Sequence, residues 1–493
     1  MTKERPNRKT LYLSVCFGLF VVIVYLTGLS IPLLGPDEPR YSQVAREMFE
    51  RGDWITPTLG GFDWFEKPAL LYWLQIASYH LFGVTEFAAR FGSALFGLGT
   101  ILFLWILGRE VRSDYGDDFP KWIGIVSASS LGLLVFSRGA SFDIILTFPI
   151  AAAMISFFIW DERHRRSSTG ATRFLVLFYV FVGVAMIAKG LVGIVFPIAI
   201  VGFYHVLCAR FPSRRLIVSL IWGSVLSALV AALWYLPMYS VNGWKFIDEF
   251  FIQHHFQRYT SNKYLHPQPF WFFWVVFPLM TLPWMPFFFA SIWSIVREAT
   301  ERRERPRPLV LFALAWLLVP LVFFSFSGSK LPGYILPALP AGLIVTAIAV
   351  QRFVGSSVLR RNAAIAVASL TLIIVALLAR FFVADFIREE TVWHLVKTGA
   401  DRGLKTEKII NMHTISHSLE FYGAGRLIRT EDGKQRKFYS APEILEQMDR
   451  DGATQVLVIV PEVYLYTLLK SDAVTSEVID ENGEMVIAIV KRK

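Results

Sequence analysis

Asp37 lies in a short charged segment directly after the first long apolar run of the chain. Residues 35–68 hold four acid–base clusters, which are Asp37-Glu38, Arg40, Asp53 and Glu66-Lys67. Ionisable groups are costly inside a bilayer, so a charged segment between apolar runs indicates a site at the membrane–water boundary. A carboxylate there can serve as a general base or hold a cation, which makes Asp37 and Glu38 catalytic candidates.

The residues after Asp37 have the spacing of an amphipathic helix. Apolar side chains recur at Tyr41, Val44, Ala45, Met48 and Phe49, as on one helical face. The opposite face is polar, so we expect this helix to lie flat on the membrane surface. The run 69–82 is too short to cross a bilayer and predicts a second interfacial helix.

The composition predicts a polytopic α-helical membrane protein. Of 493 residues, 54% are hydrophobic and 18% charged, against about 25% charged in soluble domains. We expect a transmembrane domain over residues 1–384, with about 11 to 13 spanning helices. About eleven apolar runs are long enough to span, roughly 10–31, 87–108, 121–138, 142–160, 173–188, 190–208, 215–237, 270–296, 308–326, 332–351 and 362–384.

Residues 385–493 predict a small soluble α/β domain. Strands are expected near 408–412, 455–460 and 485–490, and helices near 442–450 and 462–469. The two cysteines, Cys16 and Cys208, lie in apolar runs, so the sequence predicts no disulfide framework.

The formal net charge of +10 reflects membrane topology rather than nucleic-acid binding. Arginine and lysine are concentrated in alternate loops, and the positive-inside rule places those loops and the N-terminus in the cytoplasm. An odd number of spans then places residues 35–68 and the C-terminal domain on the outer face.

With this topology, the outer connections collect further polar residues. They are Arg138 and Asp143 in SRGASFD, Lys189 in AKG, His254, His255, Arg258 and His266 in the loop 238–269, and Lys330 and Tyr334 in SGSKLPGY. Converging arginines and lysines suit an anionic phosphate or pyrophosphate group. A base beside a phosphate clamp at the outer leaflet implies group transfer from a lipid phosphate.

Each of these residues also has a simpler structural interpretation. Asp37 could cap its helix ahead of Pro39, and Asp143 could be a helix cap. Glu66 and Lys67 could form a surface ion pair worth little. Lysines could reach for lipid headgroups, and the histidines fit no specific zinc signature. Their shared position on one face favours a site.

The motifs themselves resemble a known family over residues 10–350. PDEPRYSQVAREMFERGDWITPTLGGFDWFEKPALLYWLQ, SRGASFDIILTFP, AKGLVG, HPQPFWFF and SGSKLPGYILPALP resemble the aminoarabinose-transferase-like branch of the bacterial GT-C glycosyltransferases, kin to protein O-mannosyltransferases. The resemblance implies inverting transfer of a sugar from a polyprenyl-phosphate donor to a lipid or glycan acceptor such as lipid A. The reaction would take place on the periplasmic face of the bacterial inner membrane.

The resemblance also assigns roles. It implies that Asp37 is the essential first-loop acid, with Asp143 as a second acid. It implies contact with the donor phosphate for Arg40, Lys67, Lys189, Lys330 and Tyr334. Arg138 and Arg258 are further substrate-binding candidates. Glu66 is implied in a divalent-metal site, zinc first, together with His254 or His255 and with His266. We expect no organic cofactor, and a monomer.

Three other functions remain open at this point. A protein O-mannosyltransferase would differ in its acceptor alone. A lipid or sugar transporter would show inverted repeats and charges near the membrane midplane, which the sequence does not indicate. A membrane scaffold would tolerate alanine at Asp37 and Glu66.

Overall fold

Long helices dominate the computed structural model, which describes residues 8–257, 267–301, 306–383, 387 and 390–493. Helices satisfy their own backbone hydrogen bonds, which makes them suited to a bilayer. In chain order they are α1 (Arg8–Leu26), α2 (Asp37–Arg51), α3 (Leu70–Phe82), α4 (Glu86–Glu110), α5 (Arg112–Tyr115), α6 (Phe119–Ala128), α7 (Leu131–Phe136), α8 (Phe142–Arg165), α9 (Thr172–Lys189), α10 (Val192–Leu207), α11 (Arg214–Ile247), α12 (Phe272–Met280), α13 (Met285–Thr300), α14 (Pro308–Ser325), α15 (Leu339–Val354), α16 (Val358–Leu377), α17 (Trp393–Asp401), α18 (Leu419–Tyr422), α19 (Ala441–Asp451) and α20 (Tyr466–Leu469).

Within the described residues, seven helical stretches are long and apolar enough to cross a membrane. They are Glu86–Glu110, Phe142–Arg165, Thr172–Lys189, Arg214–Phe250, Pro308–Ser325, Pro332–Val354 and Val358–Phe382. The pair α12 and α13, bent by 116°, makes an eighth if it is counted as one span. The predicted polytopic α-helical fold is confirmed.

The expected count of eleven is higher because three predicted spans are short or broken. α10 has 16 residues, and the apolar described part of the first helix is Val15–Leu26. The run 121–138 is divided between α6 and α7. There the Ser129 hydroxyl donates to Ile125 O at 2.7 Å and Leu131 N donates to Leu282 O at 2.8 Å. The Leu131 bond takes the place of a bond to the carbonyl four residues earlier, so the helical ladder is interrupted between α6 and α7.

The chain packs as two compact units, which we describe separately. The first unit comprises Met1–Thr27, Phe65–Leu71 and Arg90–Ala376. The second comprises Gly28–Trp64, Tyr72–Ala89 and Leu377–Lys493. The tail therefore packs with the segments around α2, and the domain boundary expected after residue 384 stays a prediction.

α8 lies at the centre of the first unit. In the most apolar stretch of α8, 89% of the residues are buried, against 17% in the apolar stretch that contains α16. α8 is therefore surrounded by protein, while α16 is peripheral. A 3₁₀ helix, Pro332–Ala338, precedes α15 and packs beside α8.

The second unit is built on a five-stranded sheet with the order β4-β3-β5-β7-β6, which confirms the small C-terminal sheet domain. Its strands are β3 (Ile409–Met412), β4 (Lys437–Phe438), β5 (Gln455–Pro461), β6 (Val474–Glu481) and β7 (Met485–Arg492). A separate hairpin pairs β1 (Thr58–Leu59) with β2 (Phe62–Asp63). β4, β3 and β5 are parallel, whereas β5, β7 and β6 are antiparallel.

α2 is present as predicted, but its polar side is not left to water. Ser42 and Gln43 are buried along with the apolar face. The Gln75 amide of α3 donates to Ser42 Oγ at 3.3 Å, and the Tyr79 hydroxyl donates to Ser42 O at 3.1 Å. Neighbouring protein therefore covers α2 on more than its apolar side.

Candidate active site

In the second unit, Asp37 and Arg40 form an ion pair within the first turn of α2. Asp37 Oδ1 accepts a hydrogen bond from Arg40 Nη2 at 2.5 Å, and the two side chains are 45% and 26% exposed. Pro36 precedes the helix, and Asp37 does not cap it. The Arg40 guanidinium lies 5.6 Å from the Trp64 ring centre. The simpler interpretation of Asp37 as a helix cap therefore fails, and a partly exposed acid remains.

The chain that leads into Asp37 is held from both sides. Glu38 Oε2 accepts from Leu34 N at 2.8 Å. Leu33 N donates to the Tyr422 hydroxyl at 2.8 Å, and that hydroxyl donates to Glu86 Oε1 at 3.2 Å. Glu38 and a tyrosine of the tail thus fix the backbone just before Asp37.

A histidine of the tail lies in the electrostatic field of the same pair. Partial loss of water and the positive charge of Arg40 lower the pKa of His417, while the carboxylates Glu420 and Asp37 raise it. The net effect is downward, so the surroundings of His417 favour its neutral form.

In the first unit, Asp143 and Lys189 form a second couple. Lys189 Nζ donates to Asp143 Oδ1 at 2.7 Å, and the side chains are 20% and 19% exposed. Asp143 lies in the first turn of α8 and Lys189 in the last turn of α9. Each charge is favoured by the dipole of its own helix end. The ammonium also lies 5.1 Å from the Tyr334 ring centre.

Gly333, in the 3₁₀ helix before α15, packs closely against the Asp143 carboxylate. A Cβ atom at this position would overlap Asp143 Oδ2 and approach a ring carbon of Phe136 to 2.9 Å. The glycine of SGSKLPGY is therefore required by the close approach of the 3₁₀ helix to the Asp143 carboxylate.

Lys330 makes different contacts from Lys189. Its ammonium donates to Gln268 O at 2.9 Å and to Ser327 O at 2.7 Å. An ammonium carries three donors, and the bonds to described residues use two of them.

Arg138 is also bonded to backbone oxygens. It donates to Leu134 O and to Val24 O, both at 2.5 Å, and its guanidinium lies 5.7 Å from the Tyr25 ring centre. It joins α7 to α1, and its contact with a phosphate stays a prediction.

Glu66 and Lys67 form a nearly buried pair at 2.8 Å, with side chains 9% and 11% exposed. This pair is not the solvent-exposed one that the simpler interpretation requires. No group of three or more metal-ligating side chains occurs in the described part of the chain. The side chains of His254 and His255, and the whole of Arg258 and His266, lie outside the described residues. The zinc site therefore stays a prediction.

Comparisons with known proteins decide the family. Residues 15–252 match the family model described as dolichyl-phosphate-mannose-protein mannosyltransferase. The chain is 32% identical over 344 residues to an undecaprenyl phosphate-alpha-4-amino-4-deoxy-L-arabinose arabinosyl transferase of Serratia proteamaculans, covering 68% of this chain. A protein of the same name from Aeromonas salmonicida is 32% identical over 342 residues, again 68% of this chain. The chain belongs to the aminoarabinose-transferase-like GT-C family.

This GT-C chain spans 59% of the length of each of these relatives. Its fold is similar to the crystal structure of ArnT from Cupriavidus metallidurans bound to undecaprenyl phosphate, with a TM-score of 0.79, 23% identity and 98% coverage of both chains. It is also similar to the archaeal oligosaccharyltransferase AglB from Archaeoglobus fulgidus, with a TM-score of 0.56 and 14% identity, covering 93% of this chain and 70% of that one. At these identities the structural likeness shows the GT-C fold.

The site residues predicted for the GT-C chain fall into both units. Asp37, Glu38 and Arg40 lie together in the second unit; Asp143, Lys189 and Tyr334 lie together in the first. Their convergence in a single pocket stays a prediction. The sequence does not single out Tyr422 or His417, because the folding of the tail onto α2 has no local sequence signal.

Proposed function

We propose that this protein is an inverting glycosyltransferase that moves a sugar from a polyprenyl-phosphate donor to an envelope acceptor. The sugar is aminoarabinose or a related pentose or hexose, and the acceptor is a lipid such as lipid A. The relatives named arabinosyl transferases support this donor and sugar. Localisation to the bacterial inner membrane, with a periplasmic active site and a cytoplasmic N-terminus, belongs to the same proposal.

One structural observation supports the proposal most directly. Two acid–base couples, Asp37–Arg40 and Asp143–Lys189, keep their charged groups partly exposed. A carboxylate beside a cation can serve both an attacking acceptor and a departing phosphate. A fully buried couple could contact neither the acceptor nor the phosphate.

In the proposed mechanism, an acceptor oxygen attacks the anomeric carbon of the sugar from the side opposite the phosphate. A carbon–oxygen bond to the acceptor forms while the bond to the lipid phosphate oxygen breaks. Asp37 orients the acceptor and takes its proton when the acceptor is a hydroxyl. When the acceptor is itself a phosphate, no proton needs to be removed, and Asp37 acts by orientation.

The departing lipid phosphate carries the bond electrons away as negative charge. Arg40 offers a planar guanidinium that can bind two phosphate oxygens at once. Lys67, Lys189 and Lys330 are further candidates for this charge, with Tyr334 beside Lys189. Pre-positioned cations of this kind stabilise developing charge most strongly in a water-poor cleft.

A zinc ion would be held by Glu66 with loop histidines. Bound there, it would supply a further positive charge for anionic groups. In the described residues Glu66 Oε1 is already paired with Lys67, and no step above depends on a metal.

The test is mass spectrometry of lipid A, envelope glycans and envelope proteins from cells with and without the gene. Wild-type protein should restore one missing sugar, and Asp37→Asn should reduce transfer by about 10²-fold or more. Asp53→Asn is the matched control, since it makes the same change in the same loop and should restore the sugar.

The outcomes separate the alternatives. A sugar missing from proteins would indicate an O-mannosyltransferase-like enzyme. Full activity of Asp37→Asn at normal expression would refute the catalytic role of Asp37, and an unchanged envelope would refute the transferase itself.

A further inference from the structure

The tail sheet carries aromatic side chains at one edge. His413 follows β3 directly, Tyr439 follows β4, and Tyr464 lies just beyond β5. These three strands are neighbours and parallel, so their carboxyl ends meet at the same edge. In open α/β sheets, ligands bind in the crevice outside the carboxyl ends of parallel strands.

The three rings form one cluster, which we call the edge cluster. The His413 ring stacks on Tyr464 with centroids 4.2 Å apart and planes at 17°. Tyr439 meets His413 edge to face at 5.7 Å and 84°. Lys437 Nζ lies 5.2 Å from the Tyr439 ring centre. Tyr439 and Tyr464 nevertheless stay 56% and 41% exposed, so the cluster has an open face.

His413 is held in an uncommon conformation. Its φ is 58°, in the left-handed region that residues other than glycine rarely adopt. Its backbone N–H donates to Phe438 O at 2.8 Å, which fixes it against β4. Its Nε2 is buried and makes no hydrogen bond to any described residue. A strained backbone with an unsatisfied buried nitrogen calls for an explanation.

We propose that the edge cluster binds a saccharide. Tyrosine offers an apolar ring face to the C–H face of a sugar and a hydroxyl to its polar rim. Lys437 and the Glu443 carboxylate, which accepts from Tyr439 N at 3.0 Å, border the cluster with polar groups. A lipid surface is a poorer ligand, because insertion into it would bury the charges of Lys437 and Glu443. A nucleotide is also a poorer ligand, because the residues after β3 lack the glycine-rich turn of a nucleotide site.

The position of the edge cluster relates this site to Asp37. The loop that begins at His413 reaches His417, which lies in the electrostatic field of Asp37 and Arg40. Four residues of chain span at most about 14 Å. A saccharide on the edge cluster would therefore contact a loop whose other end, at His417, lies in the field of the Asp37 couple, which suits the sugar portion of an acceptor. That role rests on the proposed glycosyltransferase function.

Binding can be measured without catalysis. Full-length protein in nanodiscs would be mixed with soluble hexose, hexosamine and heptose mono- and disaccharides, and saturation transfer to sugar C–H protons recorded by NMR. We expect transfer to at least one class, and a loss of fivefold or more with Tyr464→Ala and Tyr439→Ala. Tyr466→Ala is the matched control, because Tyr466 is 57% exposed on α20 and outside the edge cluster.

His413→Gly provides a variant whose folding is protected, since glycine adopts the left-handed conformation readily. We expect it to lose saccharide binding while the thermal unfolding of the protein stays unchanged. Absence of binding to every saccharide, or equal binding by the edge-cluster variants, would overturn the inference, as would cluster-dependent binding to anionic vesicles alone. Binding by a protein that transfers no sugar would refute the proposed function and leave this site standing.

Discussion

The Asp37–Arg40 and Asp143–Lys189 couples hold their charges in different ways. The first joins residues three apart in one helical turn, and its acid is 45% exposed. The second joins the ends of two helices 46 residues apart and is about 20% exposed on each side. The solvent-exposed Asp37–Arg40 pair separates at little cost in free energy, whereas the Asp143–Lys189 pair also sets the spacing of α8 and α9.

This difference suggests different parts in the proposed reaction. Asp37 can leave Arg40 to meet a substrate and then return. Lys189 stays where α8 and α9 hold it, so it provides a charge whose position is fixed before the substrate arrives. Substitutions at the first couple should therefore change activity alone, while substitutions at the second should change both activity and stability.

Among the substitutions that compare the two couples, the largest combined effect on activity and stability is expected at Lys189. Lys189→Met leaves the Asp143 carboxylate without its cation and removes a charge that the proposed mechanism assigns to the donor phosphate. We expect the rate of sugar transfer in proteoliposomes to fall by about 10²-fold and the melting temperature to drop. Lys189→Arg should recover part of both. If Lys189→Met loses activity at unchanged stability, the two couples are alike and the comparison fails.

The next effect comes from Gly333. Gly333→Ala places a methyl group against Asp143 Oδ2 and should cost about 1 to 3 kcal/mol as overpacking, because the carboxylate that pairs with Lys189 must shift. Gly202→Ala is the control, since nothing lies within 4 Å of a Cβ there. Thermal unfolding and transfer activity should both fall for Gly333→Ala and stay near wild type for Gly202→Ala. Equal stability of the two variants would contradict the close packing of Gly333 against Asp143.

A smaller effect is expected at the tail. Tyr422→Phe removes the hydroxyl that joins Leu33 N to Glu86 and should cost about 1 kcal/mol. Hydrogen exchange at Leu33 and Leu34 should become faster, and activity should fall severalfold because the chain before Asp37 loosens. Tyr466→Phe, on an exposed tyrosine of the same domain, should change neither. Unchanged exchange in Tyr422→Phe would show that the tail does not hold this segment.

Local sequence patterns predicted the elements better than their partners. The i, i+3, i+7 spacing of Tyr41, Val44 and Met48 predicted α2, and apolar runs predicted β3, β5 and β7. The burial of Ser42 was not predictable, because a serine in a polar stretch is expected to face water. Its polar groups are satisfied by Gln75 and Tyr79 of α3, which only the folded chain places beside it. Such contacts depend on tertiary packing, which propensity does not encode.

Local sequence patterns did not predict the edge strands β4 and β6 or the Asp143–Lys189 ion pair. β4 has two residues, too few for any period, and β6 alternates with polar residues as an exposed edge does. Asp143 and Lys189 were both candidates, yet their pairing required knowing that the start of α8 meets the end of α9. Sequence identified the charges, and packing decided which of them are neighbours.

The smallest expected effect is the pH response of His417. Its pKa is lowered from 6.5, so the folded protein holds that proton less readily than the unfolded chain. Well above pH 6.5 the histidine is neutral in both the folded and the unfolded protein, and the stability does not change with pH through this group. As the pH falls below 6.5, the unfolded chain takes up the proton first, and stability is lost towards the folded pKa. His417→Gln removes this loss, so between about pH 7.5 and 5.5 its melting temperature should gain no more than about 2 °C on wild type. A constant difference between the two proteins would show that burial and Arg40 together do not lower the pKa of His417 in the folded protein. The Asp37–Arg40 couple would then lack the neighbour from the tail that distinguishes it from the Asp143–Lys189 couple.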